Sequence, residues 1–95
     1  MNIEIEPTEL YVNWDDAKLY CFSLNVDGKT GWRLPTLAEL TSIHQLGGYE
    51  SNYWYWSSDS DKDTGVWVKR MFFGQDEVRN KESAYGRVIA VRDLR

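Results

Sequence analysis

The stretch Gly31-Trp32-Arg33-Leu34-Pro35-Thr36-Leu37-Ala38-Glu39-Leu40 decides how the chain around it folds. Thr36 and Glu39 have the spacing of a capping box: the threonine hydroxyl accepts from the Glu39 backbone N–H, and the glutamate carboxylate accepts from the Thr36 N–H. Pro35 keeps Leu34 extended and so sharpens the start of the helix. The apolar stripe of this helix is formed by Leu37, Leu40, Ile43 and His44.

A second helix is predicted upstream of this stretch. Residues 8–12 have the pattern of a short strand, and Asn13 then caps a helix with Asp15 and Asp16 in its first turn, where the helix dipole favours negative charge. The buried face of that helix has the spacing of Ala17, Tyr20, Cys21 and Leu24. Residues 25–31 are rich in Gly, Asn and Asp and predict a turn between the two helices.

Downstream of Gly47-Gly48, which ends the second helix, the pattern changes to strands. In a strand over residues 53–57, Trp54 and Trp56 share one face, and Tyr53 and Tyr55 share the other. We then predict a polar loop over 59–65, a strand over 66–73, a turn over 74–77, an unassigned stretch over 78–86 and a closing strand over 87–92. Two helices followed by an antiparallel sheet predict a single α+β domain over residues 1–95.

Length and composition exclude several classes of protein. No run approaches the roughly 18 consecutive apolar residues of a membrane span. The acidic start has no basic n-region, so we expect no export by a signal peptide and a cytoplasmic or virion-associated location. A single cysteine, Cys21, cannot form an internal disulfide or a multi-cysteine zinc site.

Charge is divided unevenly along the chain. Residues 1–65 carry eleven acids and four bases, whereas residues 66–95 carry four acids and seven bases, for a net charge of −4. This division makes the last third the place for an anionic partner and argues against nucleic-acid binding by the whole domain. Aromatic residues make up 15% of the chain, enough to populate both a small core and a binding surface.

Five sequence elements stand out together. The elements are Asn13-Trp14-Asp15-Asp16-Ala17 with Tyr20-Cys21, Gly31–Leu40, Tyr55-Trp56-Ser57-Ser58, Trp67-Val68 and Ala90-Val91-Arg92. In order and spacing, over about residues 10–92, they resemble a known family, that of the C-terminal domain of the Legionella collagen-like protein.

The resemblance implies a C-type-lectin-like fold, with two helices packed on a small twisted antiparallel sheet and long loops. It also implies a binding role, since the namesake adhesin binds sulfated polysaccharides. Ala90 stands where many members have a second cysteine, and Ile89 stands where the family often has arginine. With the missing export signal, these departures weaken an adhesin role and fit an intracellular or virion-borne copy, for instance from a phage.

Several motif residues have structural interpretations. Trp32, Trp56 and Trp67 are predicted to lie in the core, because buried tryptophan stabilises a small domain. Arg33 and Glu39 are expected to form an ion pair at the start of the second helix. Cys21, on an apolar helix face, is predicted to be a buried and inert thiol.

No catalytic residue, metal site or cofactor is predicted. The segment Asp59–Asp63 begins like a calcium loop, but Thr64 stands where that loop needs glycine and Arg70 where it needs a bidentate glutamate. His44 is the only histidine, so a zinc site or a Cys–His nucleophile is not expected.

The aromatic and basic residues of the second half form the candidate binding surface. An exposed aromatic cluster beside arginine is typical of recognition sites. The predicted function is a non-enzymatic module that binds a protein partner. The alternative function is binding of an acidic or sulfated glycan, and the structural alternatives are a homodimer interface and an extended core. The candidate residues are Tyr49, Tyr53, Trp54, Tyr55, Lys69, Arg70, Phe73 and Arg79.

Overall fold

The computed structural model describes residues 2–47 and 53–94. Within them the chain forms a sheet of six strands and two helices, an α+β domain as predicted. The elements in chain order are β1 (Ile3–Val12), α1 (Trp14–Ser23), β2 (Trp32–Arg33), α2 (Leu37–Leu46), β3 (Trp54–Asp61), β4 (Gly65–Arg70), β5 (Gln75–Asn80) and β6 (Gly86–Asp93).

Both helices begin where the capping residues predict. The Glu39 backbone N–H donates to the Thr36 hydroxyl at 3.1 Å, and the Thr36 N–H donates to the Glu39 carboxylate at 2.8 Å, which confirms the capping box. Asn13 caps α1 by accepting from the Asp16 N–H at 2.9 Å. Gly47, with φ 78°, follows α2 and ends it.

The strands form one sheet in the order β1-β6-β3-β4-β5, and β2 also pairs with β6. All pairings are antiparallel except the contact of β3 with β6, where Tyr55 lies opposite Arg87. The first and last strands of the chain are thus neighbours: Glu4 pairs with Arg92, and Glu6 pairs with Ala90. This long-range pairing brings the two ends of the chain together in the sheet.

The sheet lies between two cores, one on each face. Alternate residues of β6 point to opposite faces: Val88 and Ala90 join the cluster that contains Trp56 and the α1 residues, while Ile89 and Val91 join the α2 cluster. Each helix therefore covers a different face of the sheet. β6 is apolar over four consecutive residues because it is buried on both faces.

Several predicted boundaries in the second half were wrong. β3 continues to Asp61, into the predicted polar loop, because a β-bulge between Trp56 and Ser60 lets the strand extend with exposed polar residues. β4 ends at Arg70, so the predicted strand over 66–73 was too long. The turn lies at residues 71–74 rather than 74–77, and β5 occupies residues that were predicted as turn or left unassigned.

The three motif tryptophans have different environments. Trp32 and Trp56 are buried in the first core cluster, as predicted. The Trp56 indole N–H donates to the Val12 carbonyl at 2.8 Å, which ties β3 to the end of β1. Trp67 is only partly buried and belongs to neither cluster, so its core prediction was wrong. It lies on β4 opposite Val78 of the edge strand β5, where less of the chain covers it.

Candidate functional site

Three tyrosines from distant parts of the sequence lie together at one end of the sheet. Tyr11 is near the end of β1, Tyr53 directly precedes β3, and Tyr85 directly precedes β6. The Tyr11 ring is 5.4 Å from the Tyr53 ring in an edge-to-face arrangement and 5.8 Å from the Tyr85 ring in a tilted one. Sheet pairing brings them together, because Tyr11 lies opposite Arg87 and next to the start of β6.

Arg87 completes this cluster, which we call the tyrosine surface (Tyr11, Tyr53, Tyr85 and Arg87). Its guanidinium carbon lies 4.3 Å from the centre of the Tyr53 ring, within the range of a cation–π interaction. Its Nη1 donates to the Glu9 backbone carbonyl at 2.7 Å, which fixes the side chain against β1. Arg87 forms no ion pair with a carboxylate in the described part of the chain.

The tyrosine rings are half-exposed. The exposed fractions are 44% for Tyr11, 45% for Tyr53 and 53% for Tyr85. Ring–ring contacts restrict the orientation of each side chain, while about half of its surface remains accessible to a partner. Such a cluster can bind by apolar contact and by hydrogen bonding at the same time.

Trp54, a predicted binding residue, is enclosed by charged side chains on the α1 face of the sheet. The guanidinium carbon of Arg79 lies 3.7 Å from its ring centre and that of Arg70 lies 5.0 Å away. The Trp54 indole N–H donates to the Glu77 carboxylate. Glu77 is also 3.3 Å from Arg79 and 3.7 Å from Arg70.

This arrangement offsets part of the positive charge of the predicted basic face. Desolvation acts to raise the pKa of Glu77, but the hydrogen bond from Trp54 and the positive charges of Arg79 and Arg70 outweigh it, so the pKa lies below its ordinary value. Glu77 is therefore ionised at neutral pH. Arg70 and Arg79 share its carboxylate and pack on an indole ring, which leaves less of their charge to attract an anionic polymer.

Lys69 and Tyr55 lie on the opposite face of the sheet from Trp54. Lys69 is only 3% exposed, and its ammonium donates to Asp76 at 2.5 Å and to the Gly74 carbonyl at 3.2 Å. Tyr55 packs on the α2 core cluster. The prediction that these two residues form one exposed surface with Trp54 and Arg79 was wrong, because neighbouring residues of a strand point to opposite faces.

Phe73, also predicted as a binding residue, lies in the turn between β4 and β5. Its ring contacts that of Phe72 edge to face at 4.8 Å, and both rings are more than half exposed. Tyr49 lies outside the described residues. Tyr53 is thus the one predicted binding residue that the described structure brings into the tyrosine surface.

Comparison with known families identifies the domain. The profile of the family described as "Lcl C-terminal domain" matches residues 3–92. The chain belongs to this family. A search of the curated proteins found no match.

The motifs that mark the chain as an Lcl C-terminal domain have structural roles here. Arg33 forms a bidentate contact with Glu39 at 2.8 and 2.9 Å and a second ion pair with Asp93 at 2.8 Å, which confirms the predicted pair. These bonds raise the pKa of the Arg33 guanidinium above its ordinary value. The hydrogen bond from Arg33 holds the Glu39 pKa below its ordinary value. The motif thus connects β2, α2 and the end of β6.

The other candidate residues also have structural environments in this Lcl C-terminal domain. Cys21 is buried in the first core cluster, which also contains Ala90, and desolvation raises the pKa of its thiol to about 11. Asp59 accepts from the Leu37 N–H at 2.8 Å, at the start of α2. Among the described residues, no group of three or more His, Cys, Asp or Glu side chains is placed to hold a metal ion.

Neither described helix has the length or the apolar character needed to cross a membrane. Sequence reasoning missed Tyr11, Tyr85 and Arg87 as members of the site. Tyr11 lies in the first predicted strand, residues 8–12, and Arg87 lies in the last, residues 87–92. A predicted pairing of these two strands would have placed the two residues side by side. No local pattern in the sequence indicates that pairing.

Proposed function

We propose that the domain is a non-enzymatic recognition module that binds a protein partner through the tyrosine surface. The observation that carries this proposal is the clustering of three half-exposed tyrosines around an arginine without a carboxylate partner among the described residues. Tyrosine offers a large contact area with few rotatable bonds, so little conformational entropy is lost on binding. Tyrosine and arginine are also enriched at the energetic centres of protein interfaces.

A protein partner is favoured over an acidic or sulfated glycan because most of the positive charge of the predicted basic face is offset within the domain. Lys69 is paired with Asp76, and Arg70 and Arg79 share Glu77. Binding of a polyanion requires several free cations, since each contributes by neutralising one anionic group. The aromatic surface does not depend on such a cluster of charges.

The proposal of a non-enzymatic role is supported by the environments of Cys21 and His44, the single cysteine and the single histidine of the chain. The Cys21 thiol is buried, and its raised pKa keeps it protonated at neutral pH, whereas the thiolate is the reactive form. His44 lies at the other core, on α2, against Gly74. A Cys–His pair would have to span the sheet.

We extend the proposal to the finer fold and infer a C-type-lectin-like domain. Two helices on a mostly antiparallel sheet, with the first and last strands paired, support this assignment. In such an arrangement the sheet ends and turns are available for binding, while the helices and motif residues hold the scaffold.

The proposal is tested by capture of partners from a host lysate with tagged protein, at low salt and at about 1 M salt, where exposed charges are screened. We expect a stoichiometric protein that survives high salt and is lost with the double variant Tyr11→Ser/Tyr85→Ser. The matched control is Phe22→Ser, an aromatic residue on α1 that is 83% exposed and lies outside the tyrosine surface. Equal capture by the Tyr11→Ser/Tyr85→Ser variant and by the wild type would overturn the proposal.

The glycan alternative is tested in parallel on a heparin column. We expect early elution that Arg70→Ala/Arg79→Ala leaves unchanged, because both arginines are occupied by Glu77. Strong retention that is lost in this double variant and at high salt would support the glycan alternative and contradict the protein-binding proposal.

A further inference from the structure

The tyrosine surface has a shape and a charge that restrict what can bind there. Its rings are not coplanar: the interplanar angles are 66° between Tyr11 and Tyr53 and 41° between Tyr11 and Tyr85. Rings that are tilted against one another leave shallow grooves between them. From this geometry we propose that the surface binds a proline-rich segment in the polyproline II conformation, with an acidic residue beside Arg87; the inference rests on the proposed function.

The spacing of the rings agrees with this ligand. Polyproline II rises about 3.1 Å per residue, so two residues advance about 6 Å along the axis. The Tyr11 ring centre lies 5.4 and 5.8 Å from those of its two neighbours. The helix has three residues per turn, so two residues of a turn can face the surface at once, and residues two positions apart can pack against neighbouring rings. An extended peptide that is already rigid loses little entropy when it docks on such an aromatic surface.

The hydrogen-bonding groups of the tyrosine surface also suit a polyproline II ligand. A polyproline II backbone has no internal hydrogen bonds, so its carbonyls need donors from the surface that binds it. The hydroxyls of Tyr11 and Tyr85 form no hydrogen bond with the described residues, and both can donate. Both rings are about half exposed, so the hydroxyls can reach a ligand.

Charge selects the partner further. Arg87 donates to a neutral backbone carbonyl of Glu9 rather than to a carboxylate, so its positive charge is not cancelled by an ion pair within the described residues. A second copy of the domain is disfavoured, since a two-fold interface centred here would place two Arg87 side chains near each other. A sugar ring would need one ring face presented flat, whereas these rings are tilted against one another and only half exposed.

The test is titration of the isotope-labelled domain with a synthetic decapeptide of eight prolines flanked by aspartates, followed by NMR. The matched peptide has glycine in place of every second proline, which abolishes the rigid conformation but keeps the charge. We expect saturable shifts at Tyr11, Tyr53, Tyr85 and Arg87, and binding at least about tenfold weaker for the glycine peptide, a difference of ~1.4 kcal/mol.

Variants connect the binding to the named groups. Tyr11→Phe/Tyr85→Phe removes only the hydroxyls and is expected to weaken binding several-fold. Arg87→Gln is expected to abolish the preference for the aspartate-flanked peptide over the same peptide flanked by lysines. Phe22→Ser is expected to bind as the wild type does. Urea unfolding of each variant shows whether it is folded. If Arg87→Gln destabilises the sheet, the Tyr11→Phe/Tyr85→Phe variant still tests the inference, because it changes only two exposed hydroxyls.

The outcomes separate this inference from the proposed function. Equal affinity for the two peptides, no shifts at the tyrosine surface, or a dimer that depends on Tyr11 would overturn the inference. If the inference fails but lysate capture still depends on the tyrosines, the proposed function stands without the inference. Where neither capture nor peptide binding depends on them, both fail.

Discussion

Arg33 shows how one residue of the diagnostic motif connects three elements. Its guanidinium contacts Glu39 of α2 and Asp93 of β6 while its backbone is part of β2. Both interactions are charge-assisted, and the contact with Glu39 is bidentate, which suits the planar fork of arginine and not the point charge of lysine. The motif is therefore explained by structure rather than by chemistry on a ligand.

The ionisation of Glu39 predicts a pH dependence of stability. Its pKa is below the ordinary value of 4.5 in the folded domain, so the unfolded chain binds this proton at higher pH than the folded domain does. Stability from this group is present above that ordinary value and is lost as pH falls through the folded pKa. We expect Glu39→Gln to flatten the acid limb of a plot of unfolding free energy against pH.

The matched control for that experiment is Glu82→Gln, an exposed glutamate in the turn before β6. It should leave the acid limb unchanged. Parallel curves for the wild type and Glu39→Gln would show that the ion pair with Arg33 does not persist in solution.

At the scale of elements, the helix starts were predictable because they depend on residues three apart. Thr36 and Glu39 hydrogen-bond to each other's backbone, so the signal is complete within four residues. The turn after β4 was misplaced because its position depends on packing between distant elements. Lys69 bonds across the turn to Asp76, and Gly74 packs against His44 of α2.

Loss of the capping box is expected to destabilise the domain measurably. Thr36→Ala removes the acceptor for the Glu39 N–H, and we expect the free energy of unfolding to fall by about 1 kcal/mol. Urea unfolding measures the change. Thr36→Ser, which keeps the hydroxyl, should recover most of it; equal loss in both variants would assign the effect to the threonine methyl group instead.

Gly74 and Gly28 allow a comparison of two glycines with positive φ. Gly74 has φ 68°, and an added Cβ would lie 2.6 Å from His44 Nε2; Gly28 has φ 85° with nothing within 4 Å. Gly28→Ala is expected to cost about 1 kcal/mol from backbone strain alone. Gly74→Ala should cost about 1 kcal/mol more, because His44 must move.

The excess at Gly74 is tested with a double variant. In urea unfolding, Gly74→Ala should cost less in a His44→Ala background than in the wild type, since the obstructing ring is gone. Additive costs for the two substitutions would show that the turn and α2 do not pack together as described.

At the scale of the whole molecule, the two tryptophans Trp56 and Trp67 differ in burial and therefore in expected effect. Trp56 is fully buried, packs closely on Gly86 and donates to the Val12 carbonyl. Trp56→Phe should therefore lower the free energy of unfolding by about 2–4 kcal/mol, because it leaves a cavity and removes the donor to that carbonyl. Trp67→Phe should cost less than about 1 kcal/mol. Denaturant unfolding measures both, and comparable losses would contradict the different burial of the two rings.

The sequence by itself determined the α+β class, both helices with their caps, the family and the alternation of Trp54 and Tyr55, because each depends on neighbouring residues or on a periodic pattern. Only the tertiary structure decided which side chains share a surface. Tyr11 meets Tyr85 and Arg87 because β1 pairs with β6, and Lys69 is buried because α2 covers that face. The contacts of Tyr11 depend on strand pairing between residues more than 70 positions apart, and no local pattern encodes that pairing.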